Sequence, residues 1–100
     1  KERKIMSQVA SIIKNQIGNK ALYMMGAKNL ATSGNDLSFR IRGSKRVNHV
    51  KVALNSMDTY DITFSKIWGV KIAEVASHDG IYCDMMQDLI EKETGLYLSL

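Results

Sequence analysis

The sequence predicts an α+β fold: an antiparallel meander of four or five strands, with an N-terminal and a C-terminal helix packed on one face. Apolar residues recur at helical spacing near both ends of the chain. Four segments in the middle alternate apolar and polar residues, and polar or glycine-containing turns separate them. One hundred residues suffice for one core and not for two, so residues 1–100 read as a single α+β domain. A composition of 45% hydrophobic and 24% charged residues is ordinary for a globular chain and excludes wholesale disorder.

Ile5, Val9, Ile12, Ile13 and Ile17 form one apolar stripe, which predicts a helix over residues 2–17 ended by Gly18-Asn19. Residues 20–26 alternate and are read as a short strand, the alternative being more helix after a kink at Gly18. Residues 27–36 are rich in Asn, Ser, Thr and Gly and read as loop. Strands are then expected over 37–42, 47–54, 60–65 and 70–76, with turns at 43–46, 55–59 and 68–69. Ile81, Tyr82, Met85, Met86, Leu89 and Ile90 predict a helix over 80–93, with Asp79 as N-cap and Gly95 as C-terminal glycine. The alternating tail Leu96–Leu100 is expected to dock on the body, and the methionines from Met24 to Met86 to fill the core.

A strand slipped by one residue turns every side chain to the wrong face, so the turns can be tested against one another. Closing the first hairpin pairs Arg42 with Val47, Arg40 with His49, Phe39 with Val50, Ser38 with Lys51 and Leu37 with Val52. The second pairs Leu54 with Tyr60, Val52 with Ile62 and Val50 with Phe64. The third, closed at 68–69, pairs Phe64 with Ala73 and Ile62 with Val75. All three put apolar residues on one face, where Val52, Ile62 and Phe64 should lie beneath Met85 and Leu89.

The opposite face is left open. Residues 1–51 carry eleven Lys/Arg and two Asp/Glu, whereas residues 52–100 carry three and eight, so the molecule should have a basic and an acidic side. Arg40, Arg42, Lys45, Arg46, His49 and Lys51 gather at the first hairpin and form the candidate nucleic-acid-binding set. The plainer reading is a polar outer face kept wet. No aromatic falls on this face in the expected register, which counts against base stacking. Ile67, Trp68, Val70 and Ile72 form an apolar patch suited to a protein or dimer interface, unless a terminal segment covers it.

No catalytic group, metal site or cofactor motif stands out. Cys83 is expected to be a buried structural thiol, and His78 and Asp79 match no metal-ligand spacing. No apolar run approaches the ~20 residues of a membrane span. The chain opens on Lys1, which leaves room for residues ahead of it. Lys1-Glu2-Arg3-Lys4 leads into an amphipathic stretch, so no signal peptide is read and a cytoplasmic location is expected.

Several strings together carry a resemblance: Met25-Gly26-Ala27-Lys28-Asn29, Asp36-Leu37-Ser38-Phe39, Val47-Asn48 leading to Leu54-Asn55, Asp58-Thr59-Tyr60-Asp61-Ile62-Thr63-Phe64, and Glu93-Thr94-Gly95-Leu96-Tyr97-Leu98-Ser99-Leu100. They resemble small proteins of bacteriophages, prophages and other mobile elements that have no assigned activity. The resemblance spans roughly residues 20–100 and implies a phage or mobile-element origin. It implies either an accessory nucleic-acid binder or a small inhibitor docking on a host protein, such as a defence nuclease complex. The combined expectation is a non-enzymatic binding module whose partner is nucleic acid, a host or phage protein, or a second copy of the chain.

Overall fold

The computed structural model describes residues 8–98. Its elements in chain order are α1 (Gln8–Ile17), α2 (Asn19–Met24), β1 (Lys28–Ala31), β2 (Asp36–Arg40), β3 (His49–Leu54), β4 (Tyr60–Trp68), β5 (Lys71–Ile81), a 3-10 turn (Cys83–Met85) and α3 (Met86–Thr94). The strands form one five-stranded antiparallel sheet in the order β1-β2-β3-β4-β5, so the fold is α+β. The first turn of the expected N-terminal helix, residues 2–7, lies outside the described residues.

The first two main hairpins close in the expected register as far as Arg40–His49; the expected Arg42–Val47 pair does not form, because Arg42 N–H donates to Met25 O and Val47 turns into the core. Phe39 faces Val50, Leu37 faces Val52, Arg40 faces His49 and Ser38 faces Lys51. Val50 faces Phe64, Val52 faces Ile62 and Leu54 faces Tyr60. Alternation sends Leu37, Phe39, Val50, Val52, Ile62 and Phe64 to one face, where all are fully buried. Ala10, Ile13 and Ile17 of α1, Ala21 and Leu22 of α2, and Met86 and Ile90 of α3 complete the same core. Burial of this kind stabilises by roughly 25 cal/mol per Å² of apolar surface removed from water, which makes it the main source of stability.

Other expectations about the elements fail. First, residues 19–24 are helix, not strand. Ala27 N–H donates to Leu22 O (2.9 Å) and Gly26 N–H to Tyr23 O (3.0 Å). With Gly26 at φ 64 this is a Schellman cap, which a glycine closes without steric strain. Second, the segment read as loop contains β1, irregular because Asn29 sits at φ 57 and shifts the register. Third, the last hairpin turns on Gly69-Val70, since Trp68 pairs with Lys71. Glycine as first central residue at φ 62 suits a tight hairpin turn. A bulge between Phe64 and Ser65 then adds one more residue, so Phe64 faces Ala76 and Ile62 faces His78. Fourth, β5 runs on to Ile81, so Asp79 is a strand residue and no helix cap.

The late start of α3 rotates its buried stripe. Met86 and Ile90 are fully buried, whereas Met85 is 49% exposed and Leu89 only partly covered. Met57 too is exposed, so the methionines are not all core filler. Gly95 ends α3 in the left-handed region as expected, its N–H donating to Glu91 O at 2.8 Å. The tail docks through Leu98, which is buried and whose N–H donates to Glu91 Oε2 at 2.8 Å. Ser99 and Leu100 lie outside the described residues. No helix is long and apolar enough to cross a membrane among the described residues.

Candidate functional site

The sheet face away from the helices is built from cross-strand rows. One row crosses all five strands, with Lys28, Arg40, His49, Ser65 and Glu74 as successive partners. Neighbouring strands stand about 4.8 Å apart, so the first three side chains form a compact basic strip that gives way to an acidic edge. The next row holds Ala31, Ser38, Lys51, Thr63 and Ser77. Lys51 Nζ lies 3.7 Å from Asp36 Oδ2, while Lys28, Arg40 and Arg42 form no ion pair among the described residues. Burial, then the charges of Arg40 and Lys51, hold the His49 pKa below 6.5. His49 is therefore a neutral imidazole at pH 7 that gains charge on acidification.

The rest of the expected basic set is dispersed. Lys45 stays exposed in the β2–β3 connection, where its carbonyl accepts from Lys66 Nζ at 2.9 Å. Arg46 is drawn to α3, where Nη1 meets Glu93 Oε1 at 2.6 Å. His78 Nε2 lies 2.7 Å from the other carboxylate oxygen. Glu93 is buried, and the His78 hydrogen bond, followed by Arg46, lowers its pKa against the opposing push of burial. This clasp joins β5, α3 and the β2–β3 connection.

Arg42 makes a second junction. Its N–H donates to Met25 O at 3.0 Å, and its side chain lies across Gly26. Tyr23, Met24, Gly26, Ala27, Lys28 and Arg42 line a shallow groove of about 540 Å³ at this corner. Tyr23 is 84% exposed. An aromatic ring thus shares a groove with two cations, which sequence reasoning missed. Read as a strand over 20–26 and a loop over 27–36, the sequence places neither Tyr23 nor Lys28 beside Arg42. Gly26 was the available signal, because a glycine after Ala21, Leu22 and Met25 at helical spacing marks a helix end.

The apolar patch is divided by the hairpin. Ile67 and Ile72 are partners on the open face, Val70 caps the turn, and Trp68 falls by alternation on the other side of the ribbon. Ile72, Trp68 and Val70 are all exposed. Asn48 supports this hairpin: its side-chain oxygen accepts from Ile67 N–H and its amide donates to Ile67 O, both at 2.7 Å. The side chain thereby extends the β3 ladder one residue beyond the strand. Cys83 is exposed in the 3-10 turn rather than buried. Three or more His, Cys, Asp or Glu side chains converge nowhere as a metal-binding group among the described residues.

These features define an open-faced antiparallel α+β domain with a basic corner and an exposed apolar hairpin. No protein-family model, curated protein or solved structure matches the chain.

Proposed function

We propose that this chain is a non-enzymatic module of phage or other mobile-element origin, working in the cytoplasm, that binds nucleic acid through the basic part of its open sheet face. The supporting observation is the adjacency of Lys28, Arg40 and Arg42 without carboxylate partners among the described residues. Lys51 and Lys45 flank them, and His49 contributes a hydrogen-bonding ring at neutral pH. Cations held on adjacent strands attract a phosphate backbone, and each phosphate neutralised releases counterions.

The test is a titration with single- and double-stranded DNA and RNA at several salt concentrations. Affinity should fall by roughly 0.7–0.9 log units per phosphate contact for each decade of salt. Arg40→Ala/Arg42→Ala should fold normally and bind more weakly with a shallower salt slope. Undiminished binding by that variant excludes this face as the site. Absence of binding at low salt removes the nucleic-acid reading.

A second reading is favoured by a different observation, the exposure of Trp68, Val70 and Ile72 at the end of the β4–β5 hairpin. Exposed apolar residues of this size suit a protein partner. On this reading the chain is an inhibitor docking on a host or phage protein, or a homodimer.

A further inference from the structure

We infer that the groove beside Gly26 is a single-strand subsite, in which the Tyr23 ring stacks on an unpaired base while Arg42 and Lys28 hold the flanking phosphates. This inference rests on the nucleic-acid reading of the adjoining face and narrows its ligand to unpaired DNA or RNA.

The placement of Tyr23 follows from the short helix that carries it. α2 turns Ala21 and Leu22 into the core, and Met25 follows them there just past its end. That leaves Tyr23 facing outward, and a ring 84% exposed contributes little to packing. The Schellman cap at Gly26 folds the chain back immediately, bringing Lys28 to the same groove. The missing side chain at Gly26 gives Arg42 its path across the turn, since a Cβ there would stand 2.8 Å from Arg42 Cγ. An aromatic ring sharing a groove with two cations matches a nucleotide, whose base has a π-face and whose phosphates are anionic.

Duplex geometry argues for the single strand. In a duplex both faces of an internal base are already stacked, so an exposed ring on a protein surface meets only an edge or the backbone. An unpaired base can leave its neighbours and lie on the ring. Stacking of this kind tolerates any base, so sequence preference should be small.

The experiment compares the parent, Tyr23→Ala, Tyr23→Phe and Arg40→Ala/Arg42→Ala, titrated against a labelled oligothymidylate and a mixed-sequence duplex of equal length at fixed salt. Far-ultraviolet circular dichroism and thermal melting of each variant verify the fold. Tyr23→Ala should weaken oligothymidylate binding about ten-fold, the lower part of the usual effect of losing one base–aromatic stack. Tyr23→Phe should bind like the parent, and duplex binding should be unchanged by either substitution. If Tyr23→Ala binds oligothymidylate as tightly as the parent, or Tyr23→Phe loses as much as Tyr23→Ala, the subsite is overturned. Should the arginine pair still matter in that case, the basic face stands without it. A parent that binds neither probe at low salt overturns both.

Discussion

At Gly26 one missing methyl group links backbone geometry to the candidate site. The residue closes α2 in the left-handed region, where an L side chain costs about 1–2 kcal/mol. A Cβ would also press on the Arg42 side chain, 2.8 Å from Cγ and 2.9 Å from Nε. Gly95 makes a natural control, because it has a similar φ of 76 and no atom within 4 Å of its built Cβ. Gly95→Ala should therefore lose roughly 1–2 kcal/mol through the backbone alone. Gly26→Ala should lose that much and also push Arg42 off the groove. Denaturant unfolding of both variants, with a low-salt nucleic-acid titration of each, separates the two effects. Equal stability losses with equal binding would show that the Arg42 side chain relocates without consequence.

Among the elements, legibility depended on how local the determining interaction was. β2, β3 and the first half of β4 were readable because strict alternation and two turns constrained one register. Tyr60, Ile62 and Phe64 landed where period-two spacing put them. β1 was unreadable because Lys28-Asn29-Leu30-Ala31 has no alternation and buries none of its four residues, so only pairing with β2 makes it a strand. The far end of β5 was hidden by a bulge, which no spacing rule marks. That bulge reverses which side chains turn inward, bringing Ala76 and His78 to the core face. The candidate site was legible where it lay on β2 and β3, through Arg40, His49 and Lys51. It was illegible at the groove, which depends on α2 and β1 meeting. The β4–β5 hairpin carries its own prediction. If a second copy seats on it, the parent should sediment as a dimer at high concentration. Val70→Asp should then sediment as a monomer, with a melting temperature equal to the parent's at dilutions where the parent is monomeric, since Val70 sits fully exposed at the turn. A parent that is monomeric throughout removes the homodimer and leaves a different protein as the occupant.

Across the whole molecule, the basic and acidic halves of the sequence meet at the Glu93 clasp. Arg46 comes from the basic half, and His78 and Glu93 from the acidic half. Their bonds tie β5 and the β2–β3 connection to α3, one of the helices that cover the core. Among the described residues, Glu93 in the clasp and His49 away from it make stability depend on acid, in separate windows. The His49 pKa is lowered on folding, so the unfolded chain binds more protons below about pH 6.5, and stability falls as pH drops through the lowered value. The Glu93 pKa is lowered as well. Its contribution is complete above the ordinary carboxylate value of 4.5 and is lost as pH drops through the folded value. Glu93→Gln should cost about 2 kcal/mol near pH 7, the scale of hydrogen bonds to a charged group. It should also flatten the part of the stability curve below pH 4.5. His49→Gln should leave that part unchanged and flatten the region just below pH 6.5. Urea unfolding of the three proteins from pH 3 to pH 8 reads both windows. A Glu93→Gln curve as steep in acid as the parent's would exclude the clasp as the source of acid sensitivity.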